Sequence, residues 1–266
     1  MTCENRTDTT GHQEVTAGVF LVDKPRGETS FSMVRQVRRL LSMKKVGHAG
    51  TLDPFATGLL ILCAGRPATL LVERFMAGRK EYVATLQLGV ETATMDPEGD
   101  IVRTAQVPDL KEVDMQGCLR SFTGRQMQVP PAFSAVKYKG KPLYHYARKG
   151  IEIRKDPREI EIYSLGYGWY DPLAHQLKIK VTCSRGTYIR VLASEIGKKL
   201  GCGAHLIELR RLASGSFSVD ESLPGDVLSG PDGLPRLLAG MIPVDEALAK
   251  LEESGGTWFE NKNESE

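Results

Sequence analysis

Residues 46–60 read VGHAGTLDPFATGLL and set a single carboxylate, Asp53, in a loop with glycines at 47, 50 and 58. Glycine at these places permits a positive φ or a close backbone approach. Pro54 restricts Asp53 to extended geometry. A carboxylate held in this way can act as a nucleophile. It can equally bond the amides of its own loop as an Asx turn. Spacing alone leaves both readings open.

Upstream, GVFLVDK (18–24) reads as a short buried strand closed by Pro25 and Gly27. Ser30 is placed to cap a helix with Val34, Val37 and Leu41 on its apolar face and Arg35, Arg38 and Arg39 mostly elsewhere. Downstream come an apolar run at 59–64, a helix near 69–77 and a strand at 80–89. Helices follow near 112–122 and 142–149. Two long strands, 158–169 and 175–184, join through Asp171-Pro172. Thr187–Leu200 has Ile189, Leu192 and Ile196 at helical spacing, a strand covers 204–219, and short helices lie near 235–250. Strands that follow one another without regular intervening helices predict an α+β fold with a largely antiparallel sheet.

Thirty-five Lys and Arg against 33 Asp and Glu give a net charge of +2, which does not announce a nucleic-acid partner. The clustering says more: Arg35, Arg38, Arg39, Lys44 and Lys45 lie close together, and Arg210 adjoins Arg211. Such clusters form either a phosphate footprint or a solvated helix face. The five cysteines (3, 63, 118, 183 and 202) are odd in number and scattered, without a CxxC pair, so neither a disulfide framework nor a zinc site is indicated. The first sixteen residues lack a signal-peptide core, and the apolar runs are too short to cross a bilayer, so a cytoplasmic protein without membrane attachment is expected. GxxxxGK[ST], GxGxxG, GxSxG and HExxH are all missing, and the five histidines have no metal-ligand spacing. Chemistry run by carboxylate, Tyr, Arg, Lys or His side chains, without metal or cofactor, is the expectation.

GHAGTLDPFATGLL (47–60) resembles the catalytic motif of the TruB family of tRNA pseudouridine synthases. LVDKPRGETS (21–30) resembles the first motif of that family, and KEYVATLQLGVETATMDPEGD (80–100) its tyrosine-bearing motif. QVPPAFSAVKYKGKPLYHYARKG (128–150) resembles the insertion that clamps the RNA, and CSRGTYIRVLASEIGKKLGCGAHLIELRRLASGSF (183–217) the last motif. All five occur in family order across roughly residues 18–245.

The resemblance implies a pseudouridine synthase fold, with a mixed, mostly antiparallel central sheet flanked by helices and an RNA-clamping insertion at about 124–152. It also implies a cofactor-free isomerisation of uridine to pseudouridine at position 55 in the T loop of tRNA. The catalytic aspartate falls on Asp53. The resemblance implies that Tyr82 stacks on the flipped base and is a candidate base for a sugar proton, and that Arg190 pairs with Asp53 to keep it ionised. Tyr188 and Leu209 line the uracil pocket, and His48 fills the place the base has left. Lys24 and Pro25 support the tyrosine side of the pocket, while Asp96 serves RNA contact and loop structure. Lys139 and Arg148 belong to the insertion, where Tyr138, Lys141, Tyr144, Tyr146 and Lys149 interleave rings and cations suited to bases and phosphates. Without the motifs, Tyr82 reads as a half-buried strand tyrosine, Leu209 as core and His48 as a surface hydrogen bonder.

The expected boundaries are a disordered leader at 1–16, a catalytic domain at 17–251 and a polar tail at 252–266. No C-terminal RNA-binding domain of the PUA type is expected, and weaker anchoring of tRNA follows. The partner is tRNA, through its T arm and T loop, with no obligate protein partner and a monomeric state. Two other functions share the scaffold: a guide-RNA-dependent pseudouridine synthase and a tRNA-folding chaperone. Glycoside hydrolysis lacks a second well-placed acid.

Overall fold

The computed structural model describes residues 16–255, apart from 135, 136, 148, 152 and 154. Two compact units emerge: one from Met1–Gly78 and Leu212–Glu266, the other from Arg79–Arg211. In chain order the first unit contributes β1 (Gly18–Lys24), α1 (Ser30–Leu40), β2 (Val46–Ala49), β3 (Thr57–Ala64), α2 (Gly65–Thr69) and α3 (Val72–Ala77). The second holds β4 (Lys80–Leu88), β5 (Val90–Thr92), β6 (Ile101–Thr104), α4 (Glu112–Arg120), β7 (Gly124–Gln128), β8 (Lys137–Tyr138), β9 (Lys141–Pro142), α5 (Leu143–Ala147), β10 (Arg158–Asp171), β11 (Gln176–Cys183) and α6 (Ile189–Lys199). β12 (Ala204–Ser214) carries the chain back to the first unit. There β13 (Phe217–Ser218), β14 (Leu223–Pro224), α7 (Gly233–Ala239), β15 (Met241–Ile242) and α8 (Val244–Gly255) complete it.

In the first unit β1 pairs antiparallel with β3 along its whole length, antiparallel with β15, and parallel with β14. β2 pairs antiparallel with β3. Both faces of these strands are covered, which is why GVFLVDK and TGLLILCA are continuous apolar runs and do not alternate. Val19, Leu21, Leu59, Ile61 and Cys63 pack with Phe75 of α3, Phe217 and Ala247 of α8. The intervening residues Phe20, Val22, Leu60, Leu62 and Ala64 pack with Met33, Val34 and Val37 of α1 and Leu237 of α7.

The second unit is built differently. β4, β11, β10 and β7 lie side by side in that order, β12 neighbours β4, and β11 pairs antiparallel with both β4 and β10. QLKIKVTC in β11 alternates buried and more exposed positions, as a strand wet on one face should. α4 packs on β10 and α6 on β4. The expected α+β class, with mixed and mostly antiparallel pairing, is present.

Several local expectations are corrected. Ser30 is not the cap of α1: Thr29 is, accepting from Ser32 N at 2.9 Å, and the Ser30 hydroxyl is used elsewhere. The loop expected from residue 47 starts later, because β2 takes Val46–Ala49. The helix expected at 69–77 is broken into α2 and α3, and the strand expected at 204–219 ends at Ser214, where Gly215 turns with φ of 60°. The polar tail begins inside α8, which runs to Gly255. The leader, and the tail beyond residue 255, fall outside the described residues. The Asp171-Pro172 join is an Asx turn, with Asp171 Oδ1 accepting from Leu173 N at 2.9 Å and Ala174 N at 3.1 Å.

Candidate active site

Asp53 lies between β2 and β3, half-buried, on a turn closed by Ala56 N donating to its carbonyl at 3.1 Å. Both chain neighbours of Asp53 are fastened. On one side the buried Ser30 hydroxyl donates to Leu52 O at 3.1 Å and accepts from Leu52 N at 2.8 Å. On the other, Pro54 O accepts from Gly27 N at 2.8 Å and from Lys24 Nζ at 3.2 Å. The Lys24 ammonium also donates to Pro25 O at 2.9 Å and Glu28 O at 2.6 Å. Its side chain is wholly buried, so carbonyl dipoles replace the water it has lost. Lys24 therefore ties the segment after β1 to the aspartate turn. Asp53 is thus held through both of its chain neighbours. His48 sits in β2, half-buried, opposite Leu62 of β3.

The second unit holds Tyr82, Asp96, Tyr188, Arg190 and Leu209. Tyr82 is buried in β4 opposite Val181, on the same strand face as Lys80 and Ala84. Leu209 is buried in β12, the neighbour of β4. Arg190 opens α6 and is 4% exposed. Its Nη1 donates to Asp96 Oδ2 at 2.8 Å and to Thr94 O at 3.0 Å, and its Nη2 donates to Phe133 O at 2.7 Å. Asp96 Oδ1 accepts from Thr94 Oγ1 at 2.5 Å and from Glu98 N at 3.0 Å. Within this unit Arg190 forms an ion pair with Asp96; Asp53, the partner the motifs suggest, belongs to the first unit. Of the two roles expected for Asp96, loop structure fits its burial and its bonds.

Tyr188 is the N-cap residue of α6. Its amide donates to Gln128 Oε1 at 2.8 Å and its carbonyl accepts from Gln128 Nε2 at 3.1 Å. The buried Gln128 side chain works here as one more peptide unit. Lys139 is exposed at the tip of the β8–β9 hairpin, where it and Gly140 have φ of 46° and 79°, the conformation of a two-residue hairpin turn. Lys139 and Lys155 bring ammonium groups to 5.6 and 4.7 Å from the Tyr138 ring, and Tyr146 packs edge-on against it at 5.7 Å. Arg148 lies outside the described residues.

The sequence does not reveal the bond of Ser30 to Leu52, nor Gln128 or Lys80 as site residues. Ser30 reads there as a cap, and nothing in GRQMQVPP marks Gln128 as buried. Lys80 was findable, because alternation in KEYVATL puts it on the face of Tyr82. Its pKa is pushed down to about 7, first by burial and then by Arg211, with Arg185 adding to the shift and Cys183 opposing it. The Cys63 and Cys183 thiols are pushed up to about 12 by burial, which removes them as nucleophiles. Among the described residues no group of three or more His, Cys, Asp or Glu is placed to hold a metal ion, and no helix is long and apolar enough to cross a membrane.

Residues 38–189 match the family model described as TruB family pseudouridylate synthase (N terminal domain). Residues 190–228 match that of the tRNA pseudouridylate synthase B C-terminal domain. A tRNA pseudouridine synthase B of Desulfotalea psychrophila is 56% identical over 242 residues, covering 90% of this chain and 98% of its own length. That of Chlamydia pneumoniae is 46% identical over 220 residues, covering 82% and 92%. Among solved structures, a chain in the crystal structure of a Cbf5-Nop10-Gar1 complex superposes with a TM-score of 0.67 at 26% identity, over 94% of this chain and 68% of its own. A chain of an H/ACA RNP bound to a substrate RNA containing 2'-deoxyuridine gives 0.64 at 25% identity, over 88% and 61%.

Proposed function

The chain belongs to the TruB family of pseudouridylate synthases, and we propose on that premise that it isomerises uridine to pseudouridine at position 55 in the T loop of tRNA. The N1–C1′ bond breaks, the uracil turns, and C5 bonds to C1′. The proton lost from C5 is balanced by one gained at N1, so no co-reactant is consumed. The observation that carries this reading is the fastening of Asp53: Ser30 on Leu52 and Lys24 on Pro54 hold the backbone on both sides of one carboxylate.

The target base is buried in a folded T loop and has to be flipped out, at a cost of a few kcal/mol. Tyr82, Tyr188 and Leu209 supply the aromatic and apolar surfaces that receive it, and His48 fills the gap it leaves. Arg190, held by Asp96, is the cation that the family motifs pair with the catalytic aspartate. Lys139, Arg148 and the rings of the insertion track the RNA. The protein acts as a cytoplasmic monomer on tRNA alone, without an obligate protein partner.

Incubation of the purified chain with an unmodified tRNA transcript and with its isolated T arm tests this, with pseudouridine located by carbodiimide primer extension. A single product at position 55, lost in Asp53→Asn while RNA binding persists, is expected. Binding without product on either RNA would overturn the reading in favour of a guide-dependent enzyme or a tRNA-folding chaperone.

A further inference from the structure

Ser30 is the first residue of α1 and is bonded to Leu52, so the start of α1 lies directly against the loop of Asp53. From that point the outer face of the helix leads away. It has no acidic residue in its first turn and ends on Arg38 and Arg39. Phe31 follows Ser30 and is 54% exposed, whereas the helix core is made by Met33, Val34 and Val37. The Phe31 ring is not left bare. The guanidinium of Arg35 lies 5.7 Å from its centroid and that of Arg38 lies 5.6 Å away. Arg38 is itself anchored, donating from Nη2 to Val46 O at 2.8 Å. Beside the ring, Glu28, Ser32, Arg35, Gln36 and Arg39 line a shallow hollow of about 390 Å³. Glu28 is the only acid in that lining, and its carbonyl is held by the same Lys24 ammonium that holds Pro54.

An aromatic face bracketed by cations, contiguous with the aspartate loop, suits a nucleic-acid strand better than a solvated helix needs. We propose that this face of α1 is a second RNA contact: Phe31 stacks on an unpaired base of the strand flanking the target nucleotide, and Arg35 and Arg39 bind its phosphates. The proposal rests on the RNA-modifying function above. Stacking on an aromatic side chain tolerates any base, and a guanidinium alongside strengthens the platform. From Phe31 to Arg39 the helix rises ~12 Å, the length of roughly three stacked nucleotides at about 3.4 Å each. The contact would anchor RNA beside the reacting base by stacking and charge without reading its sequence.

The test uses the full chain as wild type, Phe31→Ala, Phe31→Trp and the double variant Arg35→Ala/Arg39→Ala. Filter binding of unmodified tRNA across about 50–200 mM salt is measured together with kcat and KM. Phe31→Ala is expected to weaken binding about tenfold, with the loss in Kd and KM, and Phe31→Trp to restore it. Removing two phosphate contacts should flatten the log–log salt slope by about 1.4. Variants that bind within twofold of wild type with an unchanged slope, while wild type still makes pseudouridine, would overturn this contact and leave the functional reading intact. A loss in Phe31→Ala that Phe31→Trp does not restore would equally overturn the stacking role. If wild type neither binds nor modifies tRNA, the functional reading fails and this contact fails with it.

Discussion

Arg190 and Asp96 form an ion pair at 2.8 Å with side chains only 5% and 4% exposed, and it joins the start of α6 to the loop between β5 and β6. The same guanidinium holds the carbonyl of Phe133, within the expected insertion. A buried cation tolerates this place only while its acceptors are complete. Asp96→Ala is therefore expected to cost about 3–5 kcal/mol of stability, read by urea unfolding. Asp96→Asn keeps an acceptor and should cost less. A loss below about 1 kcal/mol in the alanine variant would mean that the pair is no more than a surface-type contact.

Ser30→Ala removes both bonds to Leu52 and strands a buried amide, for an expected cost of about 1–3 kcal/mol. Freed on one side, the Asp53 turn shifts. A misplacement of about 1 Å can lower turnover by roughly a hundredfold, so the effect belongs in kcat. Thr29→Ala is the comparison: it removes the cap of the same helix at a cost of about 1 kcal/mol and should leave kcat alone. Equal effects on kcat from the two would show that the helix, and not the loop clamp, matters.

Gln128→Glu keeps an acceptor for the Tyr188 amide, loses the donor to its carbonyl and brings a carboxylate to a position 3% exposed. Tyr188 should lose its fixed backbone, and KM for tRNA should rise with the rate at saturating RNA falling too. Gln128→Ala should do the same without the charge. Steady-state kinetics of both variants decide the matter: kinetics like those of wild type would remove Gln128 as a positioning residue.

Lys80 titrates near 7 in the fold against 10.5 in the unfolded chain. Between those values the unfolded state carries the extra proton, so stability rises with pH. The Cys63 and Cys183 thiols work the other way above pH 9, because the unfolded chain loses protons that the folded chain keeps. Stability should therefore climb from pH 7 to 9, at up to about 1.4 kcal/mol per unit, and then turn down. Lys80→Met should remove the climb. Urea unfolding midpoints across this range check it, and an unchanged slope in the variant would assign the proton elsewhere.

The readings that held in the sequence were those set by local repetition. β1 was legible as an uninterrupted apolar run, because both its faces are covered, and α6 through Ile189, Leu192 and Ile196 on one face. Readings that depended on a distant partner did not come through. Ser30 looks like a cap until Leu52 is brought beside it, and Thr29, one residue earlier, is chemically as good a cap. Likewise, TGLLILCA carries no sign that β2 will pair with it, so VGHA reads as loop. The motifs drew attention to Asp53, Tyr82 and Arg190, but not to the carbonyl cage of Lys24 or the amide clamp of Gln128. Such interactions leave no pattern in one dimension, since the acceptors are main-chain groups that any residue supplies.

The sheet beside Asp53 joins segments far apart in sequence: Val22 of β1 pairs with Leu223, and Val19 with Ile242. A ribosome delivers these partners far apart in time. Residues 79–211 are one uninterrupted stretch, whereas β1 has one edge unpaired until β14 and β15 appear. Pairings at such sequence separation form slowly, and an open edge invites association with other chains. β1, whose other edge pairs with the strand that follows the aspartate loop, is therefore enclosed only after residues 223–242 have been made.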